Sequence, residues 1–317
     1  MSTALDILSI TGPIYLAIAL GYACTRQGLF GKADMAVFGK FTIHLALPAL
    51  LFNALSQRRV SEILNLPYMA AYAVGSLAVL LAGLWWARKV LRHSPSYSSM
   101  MAMGMSCPNS GFVGYPIMLL TLGPVAGVVL ALNMIVENFL LVPLLLALAD
   151  SEHRQGRNGF MAWLLAVRQA LAGLARNPMI WGIAGGFAFA WFELALPAPV
   201  ARTVNLLAAA SGALSLFVIG GSLVGLQTEG LRSTVAQIAV GKLIVHPLVM
   251  AAVLFWWIPV ADPVLRQAVL LSAALPMFGI YTILSQRHGH GAVSAAALLV
   301  TTVLSFFTLS ALLWFMA

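Results

Sequence analysis

Ten apolar runs punctuate the chain, at 6–24, 37–56, 67–90, 97–121, 125–149, 178–194, 203–226, 234–257, 264–286 and 292–316. Each approaches the ~20 residues that a helix needs to cross a bilayer. The polar positions fall between the runs rather than alternating within them. A membrane barrel, which shows ~10-residue alternating segments, is therefore excluded. The pattern predicts an all-α polytopic membrane protein with ten transmembrane helices. The first run has no basic residues before it and no convincing cleavage site after it, so it reads as a helix rather than a signal peptide.

Within the fourth run the pattern fails. Cys107-Pro108-Asn109-Ser110-Gly111-Phe112-Val113-Gly114-Tyr115-Pro116 holds two prolines, two glycines and two small polar side chains. Proline removes a donor and clashes with the preceding turn, so a continuous helix is not expected there. Such a break at membrane depth is tolerated where it lines a cavity or is buried in protein.

The longest connection, 150–177, opens with Asp150-Ser151-Glu152-His153-Arg154. Phe160, Trp163, Leu164, Val167, Leu171 and Leu174 then recur at helical spacing. This predicts an amphipathic helix over 159–176 lying on the membrane surface.

Composition agrees with the pattern. The chain is 61% hydrophobic and 8% charged, against roughly 25% charged in soluble domains. The net charge of +8 comes from basic residues set singly at the ends of apolar runs, which argues for topology and against a nucleic-acid partner. The odd-numbered loops carry 12 Lys and Arg, the even-numbered loops 4 (Arg58, Arg59, Arg202 and Arg266). The positive-inside rule then places the odd loops in the cytoplasm and both termini outside. Cys24 and Cys107 lie in different runs without metal-type spacing, and no metal-ligand cluster or cofactor motif is present.

A shift of 165 residues lays Pro13 on Pro178, Ile18 on Ile183, Gly21 on Gly186 and Leu51-Phe52 on Leu216-Phe217. A shift of 168 lays Pro108 on Pro276 and Gly111 on Gly279. These matches predict two five-helix repeats, 1–149 and 178–317, joined by the linker 150–177. An odd number of spans per repeat inserts the halves in opposite orientations, the inverted-repeat plan of secondary transporters. The second break is Leu275-Pro276-Met277-Phe278-Gly279-Ile280.

Two broken helices crossing at the midplane bring half-helix N-termini together, an arrangement suited to an anion. The candidate substrate-binding residues are therefore Pro108, Asn109, Ser110, Gly111, Gly114, Pro276, Met277, Phe278 and Gly279. The N–H groups after Pro108 and Pro276 are the expected donors, with Asn109 and Ser110 adding side-chain partners. The plainer alternative is a pair of proline kinks.

Ionisable groups inside spans supply the candidates for coupling, because each costs at least ~2.5–3.5 kcal/mol at the helix centre. Glu137 has Asn133 four residues before it and is either a proton carrier or a structural hub. Lys242 lies ~14 Å into its span, with His246 one turn on along the same face. It either snorkels to the headgroups or faces a partner, with Glu137 the attractive one. His44 interrupts the second span. Gly182, Gly185, Gly186, Gly221 and Gly225 read as close helix packing. The tyrosines and tryptophans read as interfacial residues. No nucleophile–base pair or phosphate loop is present, which disfavours an enzyme.

Asn109-Ser110-Gly111-Phe112-Val113-Gly114-Tyr115-Pro116 resembles the Asn-x-Gly-Phe-x-Gly-x-Pro signature of the auxin efflux carrier family. Gly12-Pro13, Gly21-Tyr22, Leu47-Pro48-Ala49-Leu50-Leu51-Phe52, Asn177-Pro178 and Lys242 with Pro247 extend the resemblance over nearly the whole chain. The resemblance implies a fold similar to bile-acid symporters and sodium/proton antiporters. Spans 1, 2, 6 and 7 then form a scaffold, and spans 3–5 and 8–10 a transport domain with substrate at the crossing of spans 4 and 9.

It further implies a bacterial inner-membrane member moving a carboxylate or dicarboxylate such as malonate or malate, or an auxin-like acid, by elevator-type alternating access. The implied partners are the bilayer, a proton or sodium as coupling ion, and a second copy joined through scaffold helices. Plant members have asparagine at both crossings, whereas this chain has Asn109 at one and Met277 at the other. The reading from another class is a membrane sensor or channel. A sensor needs a signalling domain, and a channel needs a continuous pore.

Overall fold

A computed structural model describes residues 4–149, 172–173, 175–225, 232–278, 285 and 290–316. Among these residues every regular element is helical. The first two helices are α1 (Ala4–Arg26) and α2 (Lys32–Ser56). Helix α3 (Leu66–Trp85) starts at Asn65, whose side chain accepts from the Tyr68 N–H. Helix α4 (Pro95–Ser106) ends at the expected break. The chain restarts through a π turn, Ser110–Gly114, into α5 (Tyr115–Leu122).

Gly123 turns the chain with φ +67°, a conformation that suits a residue without Cβ. Helix α6 (Ala126–Val136) follows and runs on through the π turn Glu137–Leu141 into Val142–Ala149. Beyond the linker come α7 (Pro178–Trp191), α8 (Ala198–Ser222), α9 (Arg232–Trp257), α10 (Pro263–Ala274) and α11 (Gly291–Met316).

Among the described residues, seven helical stretches are long and apolar enough to cross a membrane, and α7 and α10 are shorter apolar helices. One of the seven, Ser110–Leu145, is bent back at Gly123 and so contains two arms. Within the run expected at 264–286, α10 ends at Ala274, residues 275–278 are not helical, and Ser285 is helical again. The seventh run begins at Ala198 rather than 203, because Pro199 is accommodated in a first helical turn. The amphipathic helix expected over 159–176 lies almost wholly outside the described residues.

Helix α1 packs along α8, and α2 along α7, through glycines that let backbones touch. A Cβ on Gly21 would run into the Phe217 carbonyl, and one on Gly186 would stand 2.8 Å from the Phe52 carbonyl oxygen. Gly186 lies 165 residues after Gly21, and Phe217 lies 165 after Phe52. The same pair of positions thus makes both contacts with the two halves exchanged. Helix α10 lies against α3, α9 and α11, which carries its C-terminal end to the break after α4.

Candidate functional site

The two breaks meet. Cys107 and Leu275 each precede a proline and are extended, with φ/ψ of −101°/110° and −62°/152°. That is the region to which a following proline confines its neighbour. Pro108 and Met277 face each other in an antiparallel pairing. The Asn109 N–H donates to the Pro276 carbonyl at 2.8 Å, and the Phe278 N–H donates to the Cys107 carbonyl at 3.3 Å. Neither proline has a donor to lose, so the pairing leaves no proline nitrogen wanting a partner.

This corrects the expected donor set. The N–H of Asn109, directly after Pro108, joins the breaks and is not free for a ligand; Phe278 N–H is used in the same way. The Asn109 Oδ1 accepts from the Phe112 N–H at 3.2 Å, and the Asn109 carbonyl takes the N–H groups of Val113 and Gly114. The N–H groups of Ser110 and Gly111 are first-turn donors, which have no intrahelical acceptor. Asn109 is buried, and among the described residues its Nδ2 has no hydrogen-bond partner. A buried amide left without an acceptor costs about 1–3 kcal/mol, which a carboxylate oxygen could recover.

Gly111 and Gly114 do not open space for a ligand as expected. The room beside Gly114 is filled by Leu275, whose Cδ1 lies 2.5 Å from where a Cβ would sit, and Leu47 stands beside Gly111. Met277 is fully buried, Phe278 is half-buried, and Gly279 lies outside the described residues.

Ser110 also differs from expectation. Its hydroxyl donates to Glu137 Oε1 at 2.5 Å, and the Tyr72 hydroxyl donates to the same oxygen at 2.7 Å. The Ser110 hydrogen is therefore engaged by Glu137. One turn earlier, Asn133 Oδ1 accepts from the Tyr68 hydroxyl at 2.7 Å, and its Nδ2 donates to Ser272 Oγ at 2.8 Å. Asn138 turns elsewhere, accepting from Asn177 Nδ2 at 3.0 Å. Tyr68 and Tyr72 are thus buried polar partners, not the interfacial residues expected. Their sequence signal was a pair four residues apart, which stacks two hydroxyls on one helix face.

Lys242 is fully buried and does not snorkel. Its Nζ donates to the Ala273 carbonyl at 2.6 Å and lies 3.0 Å from His246 Nδ1. Ala273 stands in the last turn of α10, where carbonyls lack intrahelical partners and a cation is favoured. With Lys242 as an ammonium, which only donates, His246 accepts at Nδ1 and presents its Nε2–H to Ser76 Oγ at 3.2 Å. Glu137 and Lys242 form no ion pair. His44 is exposed, bonded to the Lys40 carbonyl at 3.0 Å, and apart from this cluster.

The last turn of α10 is consequently held from two sides, at Ser272 by Asn133 and at Ala273 by Lys242. The other limb of the crossing is tied through Ser110 to Glu137. Ser110, Glu137 and Lys242 each lie in a π turn, a local unwinding often found at functional positions.

Comparison with known proteins identifies the family. The family described as "Membrane transport protein" matches residues 11–314. A Rhizobium meliloti protein named "Putative malonate transporter" is 28% identical over 314 residues, covering 98% of this chain and 95% of that one. The Escherichia coli K12 protein named "Uncharacterized transporter YfdV" is 24% identical over 309 residues, covering 95% and 94%. A Methanothermobacter thermautotrophicus "Uncharacterized transporter" is 29% identical over 106 residues, covering 33% of this chain and 34% of that one. With its apolar helices and its family match over nearly the whole length, this chain is a multi-pass membrane protein belonging to the membrane transport protein family of auxin efflux carriers.

Proposed function

We propose that the protein is a secondary transporter of small organic anions that binds a carboxylate where the two interrupted helices cross. One observation carries this reading: the buried, unpartnered Asn109 amide at a crossing built from main-chain hydrogen bonds. Asn109 Nδ2 and the N–H groups of Ser110 and Gly111 serve as donors. Malonate, malate or a related dicarboxylate is the substrate class; the name of the Rhizobium meliloti relative supports it.

The exchange-related contacts Gly21–Phe217 and Gly186–Phe52 support ten spans arranged as two inverted repeats, 1–149 and 178–317. On this reading α1, α2, α7 and α8 are the scaffold, and the remaining helices form a transport domain that slides against it. Both termini lie outside the cytoplasm. Glu137 is the coupling group, because Ser110 links its carboxylate directly to the restarted helix. When Glu137 is ionised it accepts from Ser110 and Tyr72. Protonation replaces one acceptor function by a donor and reorients the Ser110 hydroxyl beside the substrate.

The test is uptake of labelled malonate, malate and indole acetate by reconstituted protein, with Asn109→Ala alongside. Uptake of at least one acid, lost in the variant, is expected. Undiminished uptake by Asn109→Ala removes Asn109 from the site.

A further inference from the structure

The crossing does not account for a cavity of about 460 Å³ lying elsewhere along α5. Its polar lining comes from Asn53, Gln57, Arg58, Glu62, Tyr115 and Asn205. Small-molecule sites occupy roughly 300–1,000 Å³, so the volume suits a small acid with its water. One wall is α2 and α8; the other is α5 and the start of α6, including Gly127. The cavity therefore sits in the seam between the scaffold and the transport domain proposed above. Its lining includes the connections after α2, with Gln57, Arg58 and Glu62, and after α5, with Pro124. These are even-numbered loops, the side that the Lys and Arg distribution assigns to the outside. Tyr115 directly follows Gly114 of the crossing motif and Pro124 lies beyond the end of α5, so the cavity runs along the restarted helix from the crossing to its far end.

The lining chemistry is specific. Gln57 Nε2 donates to Asn53 Oδ1 at 2.6 Å, and Asn53 Nδ2 donates to Asn205 Oδ1 at 2.8 Å. This amide chain runs from the end of α2 across to α8. Arg58 faces Glu62 at 3.6 Å, with side chains 30% and 52% exposed. Charge-assisted bonds of this type close to about 2.7–2.9 Å. An exposed, open pair of this kind is weak, so another carboxylate can replace Glu62 at little cost. Among the described residues, Arg58 and Glu62 are the only charged side chains lining the cavity.

We infer that this cavity is an outer vestibule in which Arg58 receives the carboxylate of an incoming or departing anion by exchanging it for Glu62. The inference rests on the transporter reading and adds a second, lower-affinity station to it. Guanidinium suits the task because its planar fork meets a carboxylate with two parallel bonds.

The test is initial-rate exchange of labelled malonate in right-side-out and inverted membrane vesicles, comparing wild type, Arg58→Gln, Arg58→Lys and Glu62→Gln. Arg58→Gln should raise the outer-face KM about fivefold with kcat unchanged, and Arg58→Lys should recover part of the loss. Glu62→Gln should lower the outer-face KM, because it frees Arg58. Both effects should shrink at high salt and be missing from the inner face. If the pair is only structural, both variants lose the same bridge and shift KM in the same direction, which overturns the inference. Equal shifts on the two faces, or no shift in either variant, overturn it as well while leaving the crossing intact. Failure of the wild type to move malonate, malate or indole acetate instead overturns the transporter reading, and the vestibule with it.

Discussion

The Asn109 N–H donates to the Pro276 carbonyl at 2.8 Å, joining residues 167 positions apart at the point where two helices are interrupted. That bond uses the donor closest to Pro108 and leaves the Asn109 side chain divided between two tasks. Its oxygen caps the restarted helix at Phe112, and its nitrogen has no partner among the described residues. Asn109→Ala removes the cap and should cost about 0.5–2 kcal/mol of stability. Asn109→Asp keeps a capping oxygen and should stay nearer to the wild type. Thermal unfolding in detergent measures both, and equal loss in the two variants would argue against the cap.

Glu137 gives a prediction that separates charge from structure. Gln in its place keeps an oxygen able to accept from Ser110 and Tyr72, so Glu137→Gln should fold. It should abolish proton-driven accumulation while sparing counterflow exchange. Tyr72→Phe leaves a buried carboxylate short of a donor, at a cost of about 1–3 kcal/mol. If accumulation and exchange are both unchanged in Glu137→Gln, the residue is a structural hub.

Lys242 holds the buried C-terminal end of α10 through the Ala273 carbonyl. Lys242→Met keeps the bulk but strips that carbonyl and His246 of a donor. Leaving a buried acceptor unpaired costs about 1–3 kcal/mol. The melting temperature should fall, and exchange should fall with it because the crossing follows directly at Leu275-Pro276. Unaltered stability would mean that Lys242 is dispensable to the break.

Gly21→Ala and Gly186→Ala should each destabilise the protein by about 1–3 kcal/mol or more, since each Cβ meets a main-chain carbonyl. Gly12→Ala, also in α1, meets nothing within 4 Å and should be neutral or stabilising. Melting temperatures of the three variants decide whether the glycines set the packing of α1 on α8 and of α2 on α7.

The sequence reveals much of this arrangement where chemistry is local. Pro108, Gly111 and Gly114 mark a break because proline and glycine act on their own backbone. Lys242 and His246 meet because four residues make one helical turn. The glycine pairs follow from a repeat visible at a fixed shift. What distance along the chain conceals is which neighbour completes each polar group. Ser110 and Glu137 are on different helices, so the expectation that Ser110 faces substrate overlooked a carboxylate 2.5 Å away. Tyr68 and Tyr72 look like any membrane tyrosines until α3 is set against α6. The N–H groups of Asn109 and Phe278 looked free because their acceptors lie in the opposite half.

The central claim is that a carboxylate binds the buried Asn109 amide, and equilibrium binding tests it without relying on transport. Scintillation proximity with labelled malonate should give saturable binding to the purified wild type. Asn109→Asp preserves the cap but puts an acceptor where the donor was, and at least a tenfold weaker affinity is expected, or about 1.4 kcal/mol. Wild-type affinity in a folded Asn109→Asp protein would contradict the account.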